Sequence, residues 1–265
     1  MKLQSTKRHM TQTLVERVRR GRHALMALGL GSTLLSGAAQ AGDHGFRVEL
    51  SPLMSYAKQT ATTDRYLAAG AQLQAELWGL GPFGVMFKAG ENAQLTQVEL
   101  TDAGIVPMTT YVAQAMVGPT LNFKLGPLAH VRVGGGPRIG YQWFSEKSLS
   151  ELSAQGLVPA FDKAVLLGSS LEGRVDLNLP IISPFVAVEG RTHTANGADD
   201  ASGQSVMLEG VELTGTAGIR LNVIPLVKLS LAGQAGYTHN VYNYEVPTTN
   251  DLTHFGVSVG LVVMR

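Results

Sequence analysis

The sequence predicts an all-β fold: a single antiparallel transmembrane β-barrel of about ten strands, with eight as the alternative count. Three observations predict it. From Phe46 onward, apolar and polar residues alternate with the period of a strand. The alternating segments outrun the ~5–6 residues usual in soluble strands and cover the ~9–11 needed to cross a bilayer. Their connections alternate between short and long, the asymmetry of a membrane barrel.

The first 41 residues stand apart from this pattern. Lys2, Lys7, Arg8, Arg17, Arg19, Arg20 and Arg22 face only Glu16 before an apolar run from Ala24 to Leu35, and Ala39-Gln40-Ala41 follows. A basic region, a short apolar core and an A-x-A site make a secretory signal peptide, cut near Ala41. The run is shorter than the ~20 residues of a membrane helix. The full chain of 265 residues carries a formal charge of +1, whereas residues 42–265, the barrel domain, hold 14 basic and 19 acidic residues, a net −5. No basic surface remains to attract nucleic acid. The chain has no cysteine, which excludes disulfides, thiolate catalysis and cysteine-ligated metals.

Ten segments follow in order: roughly 46–56, 66–78, 84–92, 109–124, 128–144, 164–179, 184–195, 208–223, 227–242 and 253–264. The clearest runs from Ala129 to Trp143, where Ala129, Val131, Val133, Ile139, Tyr141 and Trp143 alternate with His130, Arg132, Arg138 and Gln142. Segment 109–124 sets Val117, Leu121 and Phe123 against Thr120, Asn122 and Lys124 in the same way. Connections 79–83, 125–127, 180–183 and 224–226 are tight and contain Gly or Pro; 57–65, 93–108, 145–163, 196–207 and 243–252 are longer and more polar. Pro119 and Pro137 lack a ladder donor and are expected at bulges or kinks.

The apolar face is read as the outward, lipid-facing one. The opposite face is rich in Gly, Ser, Thr, Asn and Gln, without the dense Lys and Glu of a water-facing surface. Aromatic residues gather near strand ends: Trp78, Phe83, Phe123 and Phe185 by the short turns, Tyr66, Tyr111, Tyr141 and Trp143 by the long connections. Two girdles around an aliphatic band mark a bilayer-spanning barrel.

With these features, and the internal-strand run Gly134-Gly135-Gly136-Pro137-Arg138-Ile139-Gly140-Tyr141, the mature chain resembles the small Gram-negative outer-membrane β-barrel proteins. The resemblance implies an outer-membrane location, long loops outside the cell, membrane lipids as surroundings and the barrel-assembly machinery as a partner during insertion. It also implies a porin-like or structural role. The family's insertion signal ends on an aromatic residue, whereas Val263-Met264-Arg265 stand here.

The inward charges can be paired by register. A turn centred between Ile181 and Ile182 places Arg174 opposite Glu189 and Glu172 opposite Arg191. The next hairpin sets Arg191 opposite Glu212, and a further register sets Arg132 opposite Asp176. The expected lumen network is therefore Arg132–Asp176, Arg174–Glu189 and Glu172–Arg191–Glu212. It either braces the barrel or lines a hydrated pore, because unpaired charges in a narrow lumen are costly. Near the short turns, Lys124, His130, Arg132, Arg220 and Lys228 form a positive inward set.

No G-x-S-x-G, H-E-x-x-H, P-loop or EF-hand pattern occurs, so no catalytic, cofactor or metal site is expected. His193, His239 and His254, with Asp251 and Glu245, are the rim residues a hydrolase would need. Ser148-Leu149-Ser150-Glu151 fits a capping box starting a short helix, and the acidic tip Asn196–Asp200 reads as a solvated turn. The expected function is a non-enzymatic outer-membrane barrel: a structural barrel, or a narrow passive channel for small solutes, with outer loops for surface contacts. The alternatives are a rim enzyme hydrolysing lipid A or peptide, and a secreted soluble barrel binding an apolar ligand.

Overall fold

The computed structural model describes residues 40–41, 45–59, 65–80, 82–100, 104–148, 150, 163–198, 205–243 and 248–264. All of the expected signal segment except Gln40 and Ala41 lies outside these residues. The strands are β1 (Gln40–Ala41), β2 (Gly45–Gln59), β3 (Arg65–Leu80), β4 (Phe83–Leu100), β5 (Gly104–Leu125), β6 (Ala129–Phe144), β7 (Lys163–Leu177), β8 (Ile182–Ala198), β9 (Ser205–Ile224), β10 (Val227–Asn243) and β11 (Thr248–Met264). Strands β2 to β11 pair antiparallel with their sequence neighbours, and β11 pairs with β2, which closes a ten-stranded ring. The two residues of β1 add to β5 at Phe123 and Lys124.

Closure carries a stagger. Stepping through directly opposed residues from Gly45, by way of Trp78, Gly84, Thr120, Gly134, Glu172, Glu189, Thr214, Gly236 and His254, returns to β2 at Ala57. That is twelve residues further along the strand, and such a shear tilts the strands by roughly 35–45° to the barrel axis.

Adjacent residues show which face looks outward. Leu77 is 66% exposed and Glu76 is 2% exposed, one position apart in β3. Met54, Val117, Val188, Leu231 and Val257 are exposed in the same way, while Arg47, Lys88, Arg132, Glu172 and Arg220 are buried. A water-soluble barrel would reverse this, because its apolar face forms the core. The outward apolar belt is the surface a bilayer covers.

All ten expected segments are strands, but most extend further towards the long-connection end. Strands β4 and β5 take up nearly all of the expected loop 93–108, leaving residues 101–103 between them. Ladder pairing carries the backbone beyond the apolar belt, where hydropathy alternation no longer marks it. At the other end, Gly126 turns with φ +68°, a left-handed conformation that favours glycine.

Pro119 and Pro137 do not form bulges. Pairing of β5 with β6 lapses between Met116↔Arg138 and Thr120↔Gly134, and the register is the same on both sides. The missing N–H groups therefore cost ladder bonds without inserting a residue. The strands run unusually close here: a Cβ on Gly118 would lie 1.9 Å from the Gly135 carbonyl oxygen, and one on Gly136 2.1 Å from that of Val117.

The helical turn after β6 starts three residues earlier than the expected capping box. The Ser148 amide donates to Ser145 Oγ at 3.2 Å, so Ser145 is the cap. Ser148 Oγ accepts instead from the Thr109 amide at 2.7 Å, tying the turn to β5. Of the acidic tip, Asp199 and Asp200 lie outside the described residues.

Candidate functional site

The lumen is filled on the short-turn side by a continuous chain of ion pairs. Arg191 bonds Glu212 at 3.0 Å and Glu189 at 2.9 Å. Lys88 bonds Glu189 at 3.0 Å and also Glu172. Arg132 joins Glu172 to Glu76. Arg47 reaches Glu76 at 3.9 Å and bonds Glu49. Glu49 forms an ion pair with Arg174 at 3.8 Å and accepts from Arg220 at 3.5 Å, and both arginines bond Asp176. Six cations, Arg47, Lys88, Arg132, Arg174, Arg191 and Arg220, thus meet six carboxylates, Glu49, Glu76, Glu172, Asp176, Glu189 and Glu212. The formal charges cancel, which is what a low-dielectric interior requires. Ser170 Oγ donates to Glu189 at 2.6 Å and Thr214 Oγ1 to Glu212 at 3.1 Å, filling further lone pairs.

Every residue of the expected network lies in this chain, but the pairing differs from the expected one. Strands β7 and β8 are offset by two residues from the expected register: Glu172 lies opposite Glu189, Ser170 opposite Arg191, and Arg174 opposite Ala187. Strand β7 is displaced likewise against β6, so His130 faces Asp176 and Arg132 faces Arg174. The pairs Arg174–Glu189, Glu172–Arg191 and Arg132–Asp176 are accordingly replaced. Arg191 faces Glu212 as expected. The physical reason is that a two-residue offset keeps every side chain on its own face, so hydropathy cannot detect it. The turn decides, and it centres one residue earlier than Ile181/Ile182, with Pro180 in the bend. Glu172 and Glu189 then stand as neighbouring like charges, and Lys88, reaching in from β4, bonds both.

Three expected girdle residues belong to the lumen. Phe185 is buried, and its ring lies under both the Arg174 guanidinium at 3.9 Å and that of Arg220 at 4.6 Å. The π-face stabilises these cations directly. Trp78 shares the inward phase of Gln74 and Glu76 and meets the His130 ring at 6.2 Å. Tyr66 also points inward, donating to Gln59 Oε1 at 3.0 Å. Phe123, Tyr141 and Trp143 keep the outward phase: Tyr111 stacks on Trp143 at 5.4 Å, and Tyr141 lies 5.6 Å from it. Exposed Phe83 stands at the short-turn end, and exposed Tyr56, Tyr237 and Phe255 stand towards the other.

The positive set at the short turns is reduced. Arg132 and Arg220 are committed to Glu76, Glu172, Asp176 and Glu49. Among the residues that sequence reasoning left out of the network are Arg47, Glu49, Glu76 and Lys88. Their signal was available, since Arg47 and Glu49 share one phase of β2 and Glu76 and Lys88 stand at inward positions of β3 and β4.

Above the ion pairs, towards the longer connections, lies a partly open cavity of about 260 Å³. Lys88, Glu189 and Arg191 reach its floor, and its walls include Gln72, Gln114, Gln142, Gln234 and Asn240. Of the rim histidines, His193 and His254 line this cavity: His193 Nε2 lies 3.1 Å from Asn240 Oδ1, and His254 Nε2 lies 3.3 Å from Thr214 Oγ1. His239 instead has the outward phase of Tyr237, stacks on it at 6.4 Å, and bonds Asp251. The three do not converge, and Glu245 lies outside the described residues. Among the described residues, no group of three or more His, Asp or Glu is arranged to hold a metal.

The sequence matches no family model and no curated protein. Among solved structures, the barrel resembles the outer-membrane protease OmpT from Escherichia coli, with a TM-score of 0.52 at 8% identity, over 87% of this chain and 99% of that one. Weaker likenesses are the translocator domain of autotransporter NalP from Neisseria meningitidis (TM-score 0.45, 8% identity, 94% and 97% covered) and Neisserial surface protein A (0.35, 13%, 82% and 96%). The closed ring, the outward apolar belt and the match to OmpT along nearly its full length together give this chain the fold of a Gram-negative outer-membrane β-barrel.

Proposed function

We propose that the protein is a non-enzymatic barrel of the Gram-negative outer membrane whose lumen is closed by its own ion pairs, with the longer connections facing outside the cell. The observation that carries this reading is the charge-balanced chain from Glu212 to Asp176, which joins seven of the ten strands through buried and half-buried side chains. A water-filled porin keeps its lumen charges hydrated and spaced. Here Arg132, Glu76 and Arg220 are each about 2% exposed, as in a barrel filled by its side chains.

Three measurements test it. Purified protein in a planar lipid bilayer is expected to give no steady conductance; regular single-channel steps would overturn the closed lumen. Cell fractionation is expected to recover the protein with the outer membrane, and heat-modifiable mobility on a gel to show a detergent-resistant barrel. Recovery as a soluble periplasmic protein would overturn the location.

A further inference from the structure

Among the described residues, the cavity above the ion pairs contains one cation without a carboxylate partner. Arg138, on β6, lines it. Its Nη2 donates to Gln114 Oε1, an uncharged acceptor, and its Nη1 is buried with no acceptor. Arg138 takes part in no ion pair among the described residues. Of the carboxylate residues that line the same cavity, Glu189 is committed to Lys88 and Arg191 and Glu212 to Arg191, while Glu91 is exposed and has the outward phase of Val85 and Phe87. Apart from its histidines, the cavity therefore carries one uncompensated positive charge. A second buried group there also lacks a partner, Nδ1 of His193. Unsatisfied guanidinium N–H groups are costly, and a carboxylate is the acceptor that matches their geometry.

We propose that this cavity is a binding cup for a small hydroxylated carboxylate, whose carboxylate pairs with Arg138 and whose hydroxyls bond the amides of Gln142, Gln72 and Asn240. One excess charge selects a monoanion. A phosphate ester would bring about −1.5 to −2 charges and leave part of that charge unpaired beside Glu212. The cavity volume suits a molecule of about monosaccharide size rather than a polymer. This goes beyond the closed-barrel reading: conductance tests the floor, ligand binding tests the cup, and either can fail alone.

The test is calorimetric titration of the folded, detergent-solubilised barrel with D-glucuronate, beside D-glucose and inorganic phosphate. Glucuronate is expected to bind one to one, and glucose and phosphate are not. Arg138→Gln is expected to weaken glucuronate by roughly ten- to hundredfold, the loss of a charge-assisted hydrogen bond. Gln114→Glu gives Arg138 an internal carboxylate; it is expected to abolish glucuronate binding while raising the thermal midpoint, so it reports even if Arg138→Gln fails to fold. No glucuronate binding by the folded wild type would overturn the proposal. So would equal binding of glucose or phosphate, or glucuronate affinity unchanged in Gln114→Glu.

Discussion

Glu172 shows how much a single side chain can carry. It accepts Lys88 and Arg132 at once from a buried position. Glu172→Gln removes one charge and leaves two cations short of partners. The expected cost is about 3–5 kcal/mol, the penalty for breaking a buried pair from one side, read as a lower urea midpoint in detergent. Gly135 is the steric counterpart. A Cβ there would lie 2.2 Å from the Ser170 carbonyl oxygen of β7. Gly135→Ala is expected to destabilise by about 1–3 kcal/mol through overpacking, whereas alanine at Gly173, where a Cβ meets nothing within 4 Å, is expected to be close to neutral on the same urea curve. At this scale residue type and strand phase can disagree. Phe185 and Trp78 are large and apolar, and that suggested lipid. Their phase, shared with Glu189 and Arg191 in one case and Gln74 and Glu76 in the other, was the better guide.

The strands themselves were legible because alternation is a direct imprint of one wet and one apolar face. Register was legible only modulo two. The β8–β9 hairpin alignment sets Arg191 opposite Glu212, whereas β7–β8 slips by one pleat repeat although both readings keep the same residues inside. Cross-linking tells the two apart on the outward face, and the cysteine-free background makes it clean. The pair Val175→Cys with Val186→Cys, directly opposed, is expected to form a disulfide at a Cα separation of about 4.5–5.5 Å. The pair Val175→Cys with Val188→Cys, which the other register would favour, is expected to stay reduced on a non-reducing gel. Half of the links in the ion-pair chain were also out of reach of neighbour-strand reasoning, because they cross the lumen. Lys88 meets Glu172 from β4 to β7, and Arg132 meets Glu76 from β6 to β3. Such partners share no hairpin whose turn could align them.

At the scale of the whole barrel, the inside–outside assignment can be read by light. The chain has two tryptophans, and they stand on opposite faces. In bilayers containing brominated lipid, a Trp78→Phe variant, which keeps outward Trp143, is expected to be strongly quenched. A Trp143→Phe variant, which keeps Trp78 beside His130, is expected to retain most of its emission. Equal quenching would mean that the faces are misassigned. The ion-pair chain has a further consequence in time. Its links join residues 56, 84 and 171 positions apart in sequence. While the sheet is open, these charges have water around them and no reason to meet; only the closing seam between β11 and β2 brings Glu49 within reach of Arg220. The network is thus a latch that engages after the strands have assembled. A contact absent from the transition state slows escape without hastening arrival. Loosening the latch should therefore speed unfolding while leaving the rate of insertion almost untouched. The electrostatics that fill the lumen would then govern how long the finished barrel lasts rather than how quickly it is built.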